Sequence, residues 1–592
     1  MSAYLTRVPR AACAALITVA LALTGDSARA QQDAAAPRSR VTTIADEYMA
    51  AYFARNPEFA TFEGVPEARH DRLTDNSVEA LRAWERNEDR WYAALHRVDG
   101  SSLRGADAVV HGLLLETLAA SRQARVCRSE LYPSSWVETY TQLATIQPVG
   151  DDSLRRAALA RWAELPRLLD TEIAKARQGI RLGYTASKAE VSRNLERLDG
   201  ILALPVDSSP FFNPAIRDST PVFRAAYDTL VRARIVPALR RYRAFLAGEY
   251  LPVARSTIGV SATPNGAACY RAAIRASTTV DRDPVALHRL GLARMDSIER
   301  EMRALSAKVF GDTVLTRVYE RLRSDSQYTF RSAQQIVAVA DSAVARAKAA
   351  MPRWFGIVPR SDVRVEPFPS FLERGAPNGQ YWPAPDDGSR PATYRVNTYE
   401  PERRSRAMLE TITYHEAIPG HHLQTAIAKE RTQSHPVMRY LGTAAFSEGW
   451  GLYAERLADE MGLYSSDLDR IGMLSGESLR AARLVVDAGI HALGWSRQQA
   501  IDYLSAHTMI SAAQAAAEVD NYIRSPGAYT AYMVGMLEIR RLRSKATQQL
   551  GDRFDIRAFH DRVLEDGSVT MPMLDAKITR WAGTAPTHAR TR

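Results

Sequence analysis

Cysteine is scarce, and its scarcity narrows the chemistry at once. Three of the 592 residues are cysteine and no CxxC pair occurs, which disfavours a thiolate metal site or a cysteine nucleophile. A GxSxG elbow is also missing, and Ser447-Glu448-Gly449 does not supply one, so a serine hydrolase is disfavoured. No block of like charge stands out. Basic and acidic residues are interspersed, as in Glu299-Arg300-Glu301, and nucleic-acid binding is a poor reading. Low-complexity tracts and short internal repeats are absent too. With 46% apolar and 24% charged residues the composition is that of an enzyme-sized globular protein, long enough for two or three lobes or one large helical unit.

Long apolar runs are lacking as well. The one candidate, Ala11 to Leu23, follows Arg7 and Arg10 and precedes the small-residue site Ala28-Arg29-Ala30, the pattern of a secretory leader. It falls short of the ~20 apolar residues of a spanning helix, so no stable membrane insertion is expected. Cys13 stands near the start of the apolar run instead of after it, so the usual lipid-attachment arrangement is missing. The expectation is a periplasmic or secreted protein, cleaved near Ala30. Cleavage removes Arg7, Arg10, Arg29 and Asp26 and lowers the net charge of +10 by two. The remaining positive charge is mild and leaves room for a preference for acidic surfaces or substrates. Two cysteines survive, Cys127 and Cys269. In an oxidising compartment such a pair is more often bridged than free, and the sequence leaves both states open.

What is present is helical. After a polar linker at 31–40, apolar residues recur at helical spacing, as in Leu287, Leu290, Leu292, Met295, Ile298, Met302 and Leu305. Loops rich in Pro and Gly fall near 204–221, 251–266 and 375–391. The fold class expected is mainly α, one large domain over 41–590 with its metal-site half at about 360–545. One interval breaks the pattern. Residues 362–368 and 393–397 alternate like short strands around a Gly/Pro-rich loop, which predicts a small hairpin or edge sheet before the active-site helix. Such an edge can pair with an extended peptide, or be a structural flap.

The chemistry concentrates in His415-Glu416-Ala417-Ile418-Pro419-Gly420-His421-His422. In an ordinary HExxH helix two histidines one turn apart reach one zinc at about 2.0–2.1 Å and the glutamate acts as base. Here Pro419 occupies the place of the second histidine. Its ring clashes with the carbonyl of His415 and it lacks an N–H, so the helix must kink or bulge, and Gly420 supplies freedom for a wider turn. That distortion can swing His421 or His422 back onto the His415 face. Families with one extra residue in the motif, HExxGH, keep Gly-His at its end, which favours His421 and leaves His422 to support a ligand or bind substrate. A catalytic zinc site needs a third ligand and an open position. Glu448 fits, with Glu455 seven residues on and on the same helix face, suited to orient a ligand histidine. Glu416 is the expected general base. Tyr532 or His491 would stabilise an oxyanion, Asp487 would fix the His491 tautomer, and Arg390 or Arg483 would clamp a substrate carboxylate.

At these residues the chain resembles the domain-of-unknown-function family 885. Its HExxPGHHLQ motif corresponds to His415–Gln424 and its EGWxLYxE motif to Glu448–Glu455. Further matches are the segment Arg483–Trp495 and Pro526-Gly527 with Tyr532 and Gly535; Ala528 stands where relatives often carry Gln. The likeness runs over most of the chain and is most specific from about 380 to 545. Members are similar to gluzincin-type metallopeptidases with helical, two-lobed clefts, which implies one zinc ion per chain and a peptide substrate. A zinc amidase or esterase on small molecules would use the same groups, and a helical binding protein that has lost catalysis is the rival from another class. The sequence sets neither the cleavage mode nor the oligomeric state.

Overall fold

A computed structural model describes residues 39–584, apart from 67, 134–135, 375, 387, 389 and 432–434. The expected leader and most of the linker lie outside the described residues. From Arg40 on the chain is one unit built almost wholly of helices, with two separate buried apolar clusters. One draws on Leu73 and residues 136–254, with Trp162, Phe211 and Tyr227 among its buried aromatics. The other gathers the N-terminal helices with nearly everything after residue 258 and surrounds the site described below.

The helices that matter are α1 (Lys188–Ala203), α2 (Gly266–Thr278), and α3 (Pro284–Phe310). Their starts follow local rules. Ser187 and Glu190 form a capping box on α1, while Asp283 caps α3 ahead of Pro284 at its first position. Along α3 the periodic residues Leu287, Met295, Ile298 and Met302 are buried, whereas Leu292 is 39% exposed and lies off the stripe. Cys127 and Cys269 are bridged, tying α2 to the turn Arg125–Cys127.

Strands β1 (Val363–Pro367), β2 (Gly379–Trp382) and β3 (Ala392–Val396) form a sheet of order β1-β3-β2. The two segments that alternate in the sequence are therefore parallel partners, Val365 opposite Tyr394, and do not make the hairpin between them. The antiparallel partner of β3 is β2, which comes out of the Gly/Pro-rich loop. Behind the sheet follow α4 (Leu409–Glu416), α5 (His421–Glu430), α6 (Ala444–Glu460), α7 (Asp467–His491), α8 (Ala512–Arg524) and α9 (Ala531–Leu550). Helices α6 and α9 approach backbone to backbone. A Cβ on Gly449 would lie 2.6 Å from Gly535, so side chains larger than hydrogen would force the pair apart. No described helix is long and apolar enough to cross a membrane.

Candidate metal centre

The HExxPGHH segment is not one kinked helix. Helix α4 stops at Glu416, the residues Ala417–Gly420 make a turn with a cis Ile418–Pro419 bond, and α5 begins at His421. The amides of His422 and Leu423 point back to the Ala417 carbonyl, and the Trp450 indole of α6 donates to the Pro419 carbonyl at 2.9 Å. Gly420 is required for closeness: a Cβ there would sit 1.9 Å from the His415 carbonyl oxygen. The turn thus brings the first residue of α5 beside the last turn of α4.

His415 is 4% exposed and lies flat against α6 at Gly451, where a Cβ would come within 2.8 Å of its Nε2. This places its two ring nitrogens between the two glutamates of α6. The Nδ1 meets Glu455 Oε1 at 2.8 Å, while Nε2 faces Glu448 Oε2 at 3.5 Å. His421 Nε2 approaches the same Glu448 oxygen at 3.5 Å, and the two imidazoles stand nearly perpendicular with centroids 4.7 Å apart. One donor atom from each of His415, His421 and Glu448 therefore lies within 4.8 Å of the others. Exposure rises from His415 through His421, 15%, to Glu448, 28%, so the cluster opens to solvent on the Glu448 side.

The electrostatics suit a cation. Burial alone would lower the His415 pKa, yet its hydrogen bonds to Glu448 and Glu455 raise it to about 9. Burial likewise opposes ionisation of Glu448, and the two histidines nevertheless hold it well below the usual carboxylate range. Two imidazoles and one carboxylate converging, with the far nitrogen of His415 spent on the 1% exposed Glu455, match the donor set and the supporting carboxylate of a catalytic zinc site.

Glu416, next to His415, reaches the sheet. Its Oε2 accepts the Tyr381 backbone N–H at 2.8 Å. Tyr381 lies on the edge strand β2, so an amide expected to be free for pairing with an extended peptide is already committed to the glutamate. His422 does not join the cluster. It meets the Tyr381 hydroxyl at 3.2 Å and the Ser361 carbonyl at 3.1 Å, and burial pushes its pKa down to about 4. It thereby braces the strand that holds Glu416.

Tyr532 stacks on His415 at 6.5 Å and 19°, carried there by the close approach of α9 to α6. Burial and the Glu448 charge push its hydroxyl pKa up, which keeps it a donor. Arg483 lies 4.6 Å over the Tyr532 ring and is ion-paired with Glu518 at 3.1 Å, while its Nη1 is buried without a hydrogen-bond partner. Arg390 sits at the sheet rim, 5.5 Å from the Trp382 ring and near Tyr381.

Two expectations are corrected. Asp487 does not orient His491: its carboxylate accepts from the Tyr270 hydroxyl at 2.6 Å and the Gly527 amide at 3.0 Å. His491 is fully buried, accepting the Val260 amide on Nδ1 at 3.0 Å and meeting the Tyr522 carbonyl with Nε2 at 3.0 Å. Neither nitrogen is left for an oxyanion. Conversely, Tyr381 and Gly451 position the centre and were not singled out from the sequence. Gly451 lies within the EGWxLYxE motif, where its spacing from Glu448 and Glu455 offers a signal; Tyr381 lies in a loop-like stretch and offers none.

Residues 57–578 match the family described as bacterial protein of unknown function, DUF885. Among solved structures, a candidate lipoprotein from Colwellia psychrerythraea is 25% identical, with a TM-score of 0.85 over 92% of this chain and 100% of its own. A candidate lipoprotein of unknown function from Shewanella oneidensis has a TM-score of 0.75 at 17% identity over the same shares, a likeness of fold. No curated protein matches.

Proposed function

The chain belongs to the DUF885 family, and on that footing we propose that it is an exported zinc-dependent peptidase. The carrying observation is that His415, His421 and Glu448 converge while the far nitrogen of His415 is spent on Glu455 and Glu416 adjoins the ligand histidine. A structural site would have no use for that adjacent base. Zinc bound there would lower the pKa of its water toward about 7 and polarise the scissile carbonyl. Glu416, steadied by the Tyr381 amide, takes the water proton and passes it to the leaving amine. The Tyr532 hydroxyl donates a hydrogen bond to the developing oxyanion. The choice of a peptide as substrate belongs to the proposal: water activated at these ligands beside Glu416 would attack an amide carbonyl.

Export is supported by three things: the leader pattern of residues 1–30, the Cys127–Cys269 bridge, and relatives described as candidate lipoproteins. The test is metal content by mass spectrometry on wild type, Glu416→Gln and Glu448→Ala, with peptide cleavage on the same samples. The expected result is one zinc per chain in wild type and Glu416→Gln, less in Glu448→Ala, and cleavage in wild type alone. Full metal in Glu448→Ala moves the third ligand elsewhere. Absence of both metal and cleavage in wild type sinks the peptidase reading.

A further inference from the structure

A cavity of about 380 Å³ opens between α1, α2 and α8, beside the Cys127–Cys269 bridge. Its volume falls within the range of small-ligand sites, about 300–1,000 Å³. Three guanidiniums line it: Arg193, Arg255 and Arg524. The two carboxylates on its wall are already spent. Glu190 accepts from the Ser187 amide and hydroxyl at 2.9 and 2.7 Å, and Asp520 is shared between Arg193 and Arg497.

The other two arginines have no ion-paired carboxylate among the described residues, although the charge of Glu190 acts on Arg255. Arg255 donates to the carbonyls of Thr185, Thr257 and Gly259. Arg524 donates to Asn521 Oδ1 at 3.0 Å and lies against the Tyr529 hydroxyl, with no ion-paired carboxylate among the described residues. Burial, together with the charges of Arg197, Arg524 and Arg497, pulls Arg193 down to about 10. The cavity is therefore a place where positive charge exceeds its internal compensation, and an anion would relieve it.

A row of rings leads from there to the metal centre. Tyr529, touching Arg524, stacks on Tyr532 at 6.4 Å and 5°, and Tyr532 stacks on His415 at 6.5 Å. An extended chain advances about 3.3–3.6 Å per residue, so about three to five residues span that row.

We propose that this cavity is a carboxylate subsite, receiving an acidic side chain or the free C-terminus of a peptide whose scissile bond lies at the His415–His421–Glu448 cluster. The position of cleavage rests on the peptidase reading; the binding of the anion does not. Arg524, which pairs with no carboxylate among the described residues, and Arg193, whose partner Asp520 is also held by Arg497, supply charge-assisted hydrogen bonds, which a neutral end group cannot return in kind.

The experiment is calorimetric titration of the full zinc-loaded chain carrying Glu416→Gln, which stops turnover. The probes are an all-alanine hexapeptide with a free C-terminus, its amide, and amides ending in glutamate or glutamine. Carboxylate-bearing probes should bind at least about tenfold tighter than their neutral counterparts, as charged hydrogen bonds require. Arg193→Gln with Arg524→Gln should erase that preference, and the double lysine variant should keep most of it. Asp520 retains Arg497 in both, so a folded control is at hand. Preference for the free terminus alone assigns the subsite to chain ends; preference for terminal glutamate amide as well extends it to acidic side chains. Equal binding of all probes, or an unchanged preference in the double glutamine variant, overturns the proposal. Charge-dependent binding combined with no cleavage by the wild-type zinc protein would instead remove the peptidase reading and leave the subsite standing.

Discussion

Two buried histidines, each near an acid on a helix, take opposite roles. His415 gives one nitrogen to Glu455 and turns the other toward Glu448 and His421, whereas His491 gives both nitrogens to backbone groups of Val260 and Tyr522. Their ionisation follows. The carboxylates overcome burial at His415 and raise it to about 9; burial prevails at His491 and pulls it down to about 4. Asp487, the acid that sequence spacing assigns to His491, is raised by burial to about 7 and serves Tyr270 and Gly527. A buried histidine is available for chemistry when one of its nitrogens remains unspent, and burial by itself says nothing on that point.

That contrast can be broken by substitution. The largest effect is expected next to His415. Tyr532→Phe removes the donor beside the cluster while leaving the ring stack, and kcat should fall about 10²–10³-fold with zinc content unchanged; an unchanged kcat would remove Tyr532 from the reaction. Next comes Glu455→Gln, which takes the negative charge off the group holding His415 Nδ1. Zinc affinity, read by chelator competition, should drop about 10–100-fold with the fold intact. Equal affinity would mean that Glu455 merely fills space. On the other side, His491→Leu leaves the Val260 amide and the Tyr522 carbonyl without partners, at about 1–3 kcal/mol each. Its melting temperature should fall, while zinc affinity and kcat at a permissive temperature stay put. A loss of zinc there would erase the distinction between the two histidines.

What the sequence discloses and what it hides divide along the same line. The helical periodicity, the pairing of Glu448 with Glu455 on one face, and the distortion at Pro419 are local properties, and local spacing carries them. Even there the outcome exceeds the rule: Pro419 and Gly420 end one helix and start another, because the turn packs onto the His415 carbonyl and Trp450. Partners far off in sequence are another matter. His491 meets Val260, 231 residues away, and Tyr381 reaches Glu416 from a stretch that reads as loop. Likewise β1 and β3 alternate legibly, but that they lie parallel, with β2 as the antiparallel partner, depends on a register no local pattern encodes. Helix spacing suggested that Asp487 would bond His491; the Tyr270 hydroxyl and Gly527 amide compete for that carboxylate and win.

The smallest effect concerns pH and separates the two histidines without touching the reaction. In the folded chain His491 stays neutral down to about 4, whereas in the unfolded chain it takes up a proton near its ordinary value of 6.5. Between those values the unfolded state binds the extra proton, so acidification draws the equilibrium toward unfolding. The His491 share of stability is complete above about 6.5 and declines by about 1.4 kcal/mol per pH unit until about 4. His491→Leu lacks this slope. Its stability deficit relative to wild type, measured by denaturant unfolding, should therefore be widest at neutral pH and narrow steadily as pH falls toward 4. A deficit that stays constant across that window would mean that His491 is protonated in the folded chain, and the buried backbone clip would have to be redrawn as a charged site.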